Sequence, residues 1–149
     1  MESPIGWLKI TCSDEKLLSI EFTDLGRECS SNKLVEETIC QLQEYFDCQR
    51  QVFDLPLAIE GTYFQQEAWN ALLKIPYGET ISYKEQALNV GNANAARAIG
   101  GANNKNKIAI VIPCHRVVGK NGSMVGYAGG LDKKIWLVEH EKRVRNEKF

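Results

Sequence analysis

The first part of the chain has hydrophobic positions that suit strands and one helix. Residues 5–11 and 17–23 are short runs rich in β-forming residues, separated by a polar turn, and they predict a β-hairpin. Apolar residues within 32–46 recur at helical spacing, which predicts an amphipathic helix. A further apolar run at 52–59 predicts a strand, although Pro56 restricts it to a sheet edge or a bend.

After residue 60 the pattern becomes mainly helical. Thr62 and Gln65 have the spacing of a capping box, and the apolar positions that follow predict a helix to about residue 75. Ser82 and Glu85 repeat this spacing and predict a short helix to about residue 88. Both helices therefore begin at residues that satisfy free backbone N–H groups.

The remaining elements complete a second region. An alanine-rich segment, 93–103, predicts a helix, and Gly91 joins it to the preceding short helix as a helix-turn-helix. The apolar, β-branched run 108–112 predicts a buried strand, and Asn121-Gly122 predicts a tight turn. Residues 131–145 predict a final helix with a basic end. We therefore expect an α+β protein with a domain at 1–60 and a mostly helical domain at 61–149.

Composition and cysteine usage favour an intracellular protein. The chain has 149 residues, of which 44% are hydrophobic and 25% charged, as in ordinary globular proteins. It has no apolar run near the ~20 residues that span a bilayer, and its first residues lack the features of a secretory signal. The five cysteines (12, 29, 40, 48 and 114) include no C-x-x-C pair. We therefore expect a reducing, cytoplasmic location, no disulfide framework and no zinc site.

The charges are distributed unevenly between the two regions. Residues 1–60 contain 5 Lys and Arg against 12 Asp and Glu, a net charge of −7, whereas residues 61–149 contain 13 against 7, a net +6. A basic second region is suited to a polyanion such as DNA. Charge alone equally fits a solvated surface and a basic helix, and the helix-turn-helix favours the DNA interpretation.

The segment 112–119 contains the most specific chemical signal. It places Cys114 between Pro113 and His115 at the end of an apolar run, followed by Arg116. Thiolate is the nucleophilic form of cysteine, and a neighbouring base or cation increases its fraction. Composition alone leaves open that Cys114 is a small buried apolar residue.

The wider sequence around this segment resembles the methylated-DNA–protein-cysteine methyltransferases, also called O6-alkylguanine-DNA alkyltransferases. The resemblance covers residues 61–141 almost throughout and is much weaker over the first 60 residues. The matching pieces are Gly-Thr-Tyr-Phe-Gln at 61–65, Ile-Pro-Tyr-Gly-Glu-Thr at 75–80, Ser-Tyr at 82–83, Ala-Ala-Arg-Ala-Ile-Gly at 95–100, Pro-Cys-His-Arg-Val at 113–117, Gly-Tyr-Ala-Gly-Gly-Leu at 126–131 and His-Glu at 140–141.

The resemblance implies a fold and a reaction. It implies an RNase H-like N-terminal domain and a winged-helix-like DNA-binding domain that approaches the minor groove. The implied reaction is single-use, stoichiometric transfer of an alkyl group from O6-alkylguanine, with O4-alkylthymine as a further substrate, to Cys114. It needs no cofactor, since the alkyl group comes from the DNA. We expect a monomer whose partner is double-stranded DNA carrying alkylated guanine.

The resemblance also implies a proton relay from Cys114 through water and His115 to Glu141. Adjacent side chains of an extended strand point to opposite faces, so a direct Cys114–His115 bond would need a turn at Pro113, whereas a water would remove that need. Glu141 would orient the imidazole. Its alternative is a surface charge in a basic helix, and Glu139 is the competing glutamate.

Other residues are implied to handle the DNA. Arg97 matches an arginine that inserts into the duplex, and Tyr83 matches a tyrosine that rotates the nucleotide outward, since a base must leave the helix to react. Asn106 and Tyr127 match residues that line the base pocket and polarise the guanine edge. The alternatives are an ordinary helix-face arginine, packing roles for the two tyrosines and a loop-capping asparagine.

The sequence departs from the family pattern in two places. Ala128 stands where some relatives have a serine, so one hydrogen bond to the lesion oxygen is lost, although a backbone N–H would serve. Residues 101–107 lack the Arg and Pro that often follow the recognition helix, and Lys105 and Lys107 offer phosphate contacts only as point charges. These departures bear on DNA affinity and on the role of Asn106.

Two other functions fit parts of the sequence. A non-catalytic module could recognise alkylated bases and recruit repair proteins, although relatives of that kind lack the acceptor cysteine. A cysteine hydrolase could use Cys114 and His115, although the sequence has no convincing oxyanion-hole motif. A methylation-sensing regulator would need an additional domain.

Overall fold

The computed structural model describes residues 1–24 and 32–147, and these form two compact units. The first unit comprises Met1–Ile59 with Lys107–Ala109, and the second comprises Glu60–Asn106 with Ile110–Phe149. The predicted α+β, two-domain fold is confirmed. None of the helices in the described ranges is both long and apolar enough to cross a bilayer. Cys29 lies outside the described residues.

The first unit is a small antiparallel sheet with one helix. Its strands are β1 (Glu2–Ser3), β2 (Gly6–Cys12) and β3 (Leu17–Thr23), in that spatial order. They agree with the predicted hairpin. Helix α1 (Lys33–Phe46) begins where the pattern predicted, because the Asn32 side chain accepts a hydrogen bond from the backbone N–H of Val35 at 2.9 Å.

The strand predicted at 52–59 is wrong except at one position. Leu57 forms a single parallel bridge with Leu17. Two backbone hydrogen bonds make this bridge: the Leu17 N–H donates to Pro56 O at 2.8 Å, and the Ala58 N–H donates to Leu17 O at 3.0 Å. The run does not continue as a strand because Pro56 has no N–H to donate. Val52 is 75% exposed, so the apolar run does not lie along one buried face.

The strand predicted at 108–112 is likewise reduced to one bridge. Ile108 pairs with Ile20 of β3, with hydrogen bonds from Ile20 N–H to Lys107 O (2.9 Å) and from Ala109 N–H to Ile20 O (3.2 Å). The ladder ends there because Ile110 has φ +72°, which turns the chain out of the extended conformation. A β-branched residue rarely adopts this conformation, so the apolar pattern could not indicate it.

The second unit is built mainly from helices. They are α2 (Tyr63–Leu73), α3 (Tyr83–Asn89), α4 (Ala96–Asn104) and α5 (Leu131–Glu147). Both predicted capping boxes are present, at Thr62 and at Ser82. A short parallel pair, β4 (Ile81–Ser82) and β5 (Val117–Val118), was not predicted, because two-residue strands leave no periodic pattern.

Helices α3 and α4 form the predicted helix-turn-helix. Gly91 has φ +85° at the end of α3, a conformation that glycine adopts without strain. The predicted start of α4 at residue 93 is three residues early, since the Asn92 side chain accepts from the Asn94 N–H (3.1 Å) and closes a turn there. Small buried residues let the helices approach closely, with Ala87 and Ala102 among them. The Asn121-Gly122 turn is also confirmed, with both residues at positive φ.

Candidate active site around Cys114

Cys114 lies at the start of a 3₁₀ turn, Cys114–Arg116, and not in a strand. Its N–H donates to Ile112 O at 2.8 Å, and the Arg116 N–H donates to Pro113 O at 3.0 Å. The chain therefore turns at Pro113, which is the condition that direct contact between Cys114 and His115 would require. Cys114 is half-buried, and His115 is completely buried.

The thiol of Cys114 is held by an asparagine amide. Asn106 Nδ2 donates to Ile112 O at 2.9 Å and to Cys114 Sγ at 3.3 Å. Burial raises the pKa of the Cys114 thiol, while the Asn106 hydrogen bond and the positive charge of Lys134 act in the opposite direction. Since the net effect is a raised pKa, the resting site favours the protonated thiol, and a reaction at neutral pH needs a base.

His115 forms a buried pair with Glu141. Its Nε2 lies 2.7 Å from Glu141 Oε2, and both side chains are buried. A carboxylate only accepts hydrogen bonds, so Nε2 carries a proton and donates to Glu141. Nδ1 is buried and has no hydrogen-bond partner among the described residues. Nδ1 is therefore the ring nitrogen that Glu141 does not occupy.

Glu141 is also the centre of a buried ion-pair network. Arg116 donates to its two oxygens through Nε (2.8 Å) and Nη2 (3.2 Å), and the Gly78 N–H donates to Oε1 at 3.3 Å. Arg116 Nη1 donates to Ile75 O at 2.7 Å. Burial by itself would raise the pKa of Glu141, but His115 and Arg116 lower it far below its ordinary value. Glu141 is thus ionised. It is also buried, which excludes the alternative that it is an ordinary surface charge of a basic helix.

Tyr127 lies beside this group. Its hydroxyl oxygen is buried, and its pKa is raised well above the ordinary value by burial and by the negative charges of Cys114 and Glu141. Tyr127 therefore remains a neutral phenol, the form that donates a hydrogen bond. Ala128 follows it in the chain and is exposed.

Tyr83 and Arg97 lie in the helix-turn-helix. Tyr83 is the first residue of α3, and its hydroxyl donates to Val125 O at 3.0 Å. Burial and Cys114 raise its pKa. Arg97 is exposed near the start of α4. In the described part of the chain, neither Arg97 nor Ala128 makes a hydrogen bond with the group around Cys114.

Two basic residues of this site were not singled out from the sequence. Arg116 was noted only as a neighbour of Cys114, although it is 7% exposed and binds Glu141 through two nitrogens. Lys134 was not noted and is completely buried. A signal existed for the latter, since Lys134, Leu137, Val138 and Glu141 have helical spacing and form one buried face of α5.

Two family models match this chain. The family model described as 6-O-methylguanine DNA methyltransferase, DNA binding domain, matches residues 63–143. The model described as the ribonuclease-like domain of 6-O-methylguanine DNA methyltransferase matches residues 1–59. Together they cover both units of the structure.

Individual relatives agree with the family models over nearly the whole chain. The methylated-DNA–protein-cysteine methyltransferase of Methanosarcina acetivorans is 45% identical over 147 residues, covering 94% of each chain. The protein of that name from Mycobacterium leprae is 45% identical over 148 residues, covering 95% of this chain and 90% of its own.

A solved structure agrees as well. The crystal structure of Mycobacterium tuberculosis OGT in complex with DNA superimposes on this chain with a TM-score of 0.89 at 41% sequence identity. The match covers 97% of this chain and 91% of the other. The chain belongs to the methylated-DNA–protein-cysteine methyltransferase family.

Proposed function

We propose that this protein repairs DNA by transferring the alkyl group of O6-alkylguanine irreversibly to Sγ of Cys114, one group per protein molecule. The observation that carries the proposal is the buried pair of His115 and Glu141, in which His115 is the residue next to Cys114. The pair leaves His115 Nδ1 to accept a proton. Family membership supports the same reaction. The proposed substrates are O6-alkylguanine, with methyl as the simplest alkyl group, and O4-alkylthymine as a further candidate.

The reaction balances without any added group. His115 Nδ1 accepts the thiol proton, through a water, and Cys114 Sγ attacks the alkyl carbon in line. The new S–C bond forms as the C–O6 bond breaks, and the electron pair of that bond stays on guanine. Guanine takes up one proton, which balances the proton that the thiol lost. Tyr127 donates a hydrogen bond to the base, and the N–H of Ala128 serves where some relatives use a serine hydroxyl. Asn106 lines the pocket with its Oδ1 as an acceptor, because its two N–H groups already bond Ile112 O and Cys114 Sγ. The thioether is stable, so the protein acts once.

The damaged base has to leave the duplex before it reaches Cys114. We assign Arg97 to the space vacated by the base, because it is exposed near the start of the second helix of the helix-turn-helix. Tyr83 acts on the phosphate that follows the rotating nucleotide. A phosphate oxygen only accepts hydrogen bonds, so the Tyr83 hydroxyl turns its single O–H from Val125 O to the phosphate when DNA binds.

We further propose the organisation in which this occurs. Residues 1–60 form the RNase H-like domain and residues 61–149 the DNA-binding and acceptor domain, and the protein acts as a monomer. A reducing, cytoplasmic location suits the reaction, because it consumes a free thiol at Cys114.

The test of the proposed function is the intact mass of the protein after mixing with equimolar duplex DNA that carries one O6-methylguanine. We expect a gain of one methyl group, which peptide mapping should locate on Cys114. Unmodified duplex is the control and should give no gain. Lesion-selective binding without a mass gain would favour a recruitment module, and neither binding nor transfer would make hydrolase activity the next property to test.

The role of Arg97 gives a second prediction. Arg97→Ala should slow repair in duplex DNA by about tenfold or more, since unstacking a base costs a few kcal/mol and each 1.4 kcal/mol is a factor of ten. Transfer from a single-stranded or free-base substrate should change much less. Single-turnover rates on both substrates measure this.

A matched control separates insertion from general charge. Arg143 is an exposed arginine of α5, and Arg143→Ala removes the same charge elsewhere in the same domain. It should leave the ratio of the two rates unchanged. Equal losses on duplex and single-stranded substrates in Arg97→Ala would refute the inserting role.

A further inference from the structure

Two amide side chains are buried between the helices of the helix-turn-helix. Gln86 of α3 is completely buried, and Asn103 of α4 is 7% exposed. They bond each other twice, since Asn103 Nδ2 donates to Gln86 Oε1 at 2.8 Å and Gln86 Nε2 donates to Asn103 Oδ1 at 3.0 Å. Gln86 Nε2 also donates to Ala68 O of α2 at 3.2 Å. We call Gln86 and Asn103 the amide pair.

The amide pair fixes the position of α4 on α3 more strictly than its apolar surroundings do. The buried apolar residues of this core are small, apart from Ile99, and they are Ala68, Ala87, Ala95 and Ala102. Apolar side chains of suitable size hold helices together without selecting one exact arrangement. Two reciprocal amide bonds are satisfied in a single arrangement, because a shift of either helix leaves a buried polar group unpaired, which is costly.

The residues assigned to DNA lie close to the amide pair on the same two helices. Tyr83 is the first residue of α3, about one turn before Gln86, and Arg97 lies in the first turn of α4. A Cβ on Gly100 would lie 3.9 Å from Cε1 of the Tyr83 ring, so α4 passes close to Tyr83 about one turn before Asn103. The position of α4 on α3 therefore sets the distance between Arg97 and Tyr83.

We propose that Gln86 and Asn103 are positioning residues for base extrusion, which hold α4 on α3 in the arrangement that brings Arg97 and Tyr83 to the same nucleotide. This rests on the proposed function, in which Arg97 fills the space vacated by the base and Tyr83 acts on the phosphate. A shift of α4 on α3 would misplace one of these two contacts. Because both amides are buried, they act through Arg97 and Tyr83 and do not touch the DNA.

The test replaces both amides by apolar side chains of similar size, Gln86→Met together with Asn103→Leu. Removing both partners leaves no buried side-chain amide unpaired, so the fold should be retained. Single-turnover transfer is measured from an O6-methylguanine duplex and from the same oligonucleotide as a single strand. The ratio of the duplex rate to the single-strand rate should fall about tenfold or more, since a misplacement of about 1 Å can cost about 10²-fold. The single-strand rate should change little, because an unpaired base is not extruded from a duplex.

A second double variant guards against a result that depends on one packing arrangement. Gln86→Leu together with Asn103→Met places the same two apolar side chains in the opposite order. It should lower the ratio of rates in the same way. An unchanged ratio in either folded double variant would overturn the proposal.

Trp69→Phe is the matched control, because it also removes a buried hydrogen bond to α4. Trp69 Nε1 donates to Ala102 O at 2.9 Å, and the Lys105 N–H donates to the same oxygen at 3.1 Å, so this oxygen stays bonded in the variant. Trp69→Phe should lower the temperature of thermal unfolding and leave the ratio of rates unchanged. A fall in the ratio as large as that of the double variants would mean that any weakening of this core has the same effect, which would also overturn the proposal.

Combination with Arg97→Ala tests whether the amide pair acts through Arg97. If it does, the two losses overlap, and the combined variant should lose clearly less than the product of the separate losses. Losses that multiply in full would show that the amide pair and Arg97 act independently, and they would refute the positioning role.

The wild-type protein separates this proposal from the proposed function. Transfer by wild type with an unchanged ratio in the double variants would refute the role of the amide pair alone. If wild type transferred from neither substrate, the proposed function would fail, and the Kd values for lesion and unmodified duplex would decide the role of the amide pair. Loss of the preference for the lesion duplex in the double variants would support that role, and an undiminished preference would overturn it.

Discussion

Replacing Cys114 with serine is expected to abolish methyl transfer while leaving lesion-selective DNA binding in place. The hydroxyl of serine ionises at far higher pH than a thiol, and the site already raises the pKa of the group at this position through burial. Oxygen is also less polarisable than sulfur. No gain in mass is expected from Cys114→Ser after prolonged incubation with the O6-methylguanine duplex.

The control for this substitution is another cysteine. Cys40 lies in α1 and is exposed, and Cys40→Ser should take up one methyl group like wild type. The Kd of Cys114→Ser for the lesion duplex should remain near that of wild type, because serine is nearly isosteric and still accepts the Asn106 hydrogen bond. Methylation of Cys114→Ser at any residue would mean that the acceptor is elsewhere.

Local signals were sufficient to predict much of the fold. The capping residues Asn32, Thr62 and Ser82 mark the starts of three helices because each satisfies backbone N–H groups with its own side chain. Apolar runs were less informative, since a run records burial and not strand pairing. Residues 52–59 and 108–112 each pair at a single point, and the conformation of Ile110 is set by its surroundings and not by its residue type.

The site was predicted through a motif, and its network was not. Cys114, His115 and Glu141 were selected by resemblance, and their catalytic roles stay predictions. The network around Glu141 draws on three separate segments. One supplies His115 and Arg116, the second supplies the Ile75 carbonyl and the Gly78 N–H, and the third is the helix that carries Glu141. Such convergence leaves no pattern along the chain. The charged residues Lys134 and Glu141 on the apolar face of α5 were a signal that could have identified part of this network.

Glu141→Gln is expected to have the largest effect on stability and to move the pH dependence of alkylation upward. Glu141 is 1% exposed and binds both Arg116 and His115, so the neutral amide leaves a buried guanidinium without its counter-charge. Removing one partner of a buried ion pair costs about 3 to 5 kcal/mol. Thermal unfolding at neutral pH measures this loss.

The pH dependence of that loss has a definite sign. Because the pKa of Glu141 is lowered below its ordinary 4.5 in the folded protein, its carboxylate stabilises the fold fully above that value. This stabilisation is lost as the pH falls through the folded-state pKa. The difference in stability between wild type and Glu141→Gln should therefore be largest at neutral pH and should narrow progressively as the pH falls below 4.5.

The same variant tests the relay when it is assayed at a temperature where it remains folded. Without the carboxylate, the His115 imidazolium loses its stabilising charge, so His115 becomes a weaker base and Cys114 ionises at higher pH. General base catalysis contributes about 10² to 10⁴-fold, and a fall in transfer rate of that order is expected at neutral pH. Glu139→Gln, an exposed position on the same helix, should change neither property. Lost stability with an unchanged pH profile would make Glu141 a structural partner of Arg116 only, because thiol ionisation would then be independent of its charge.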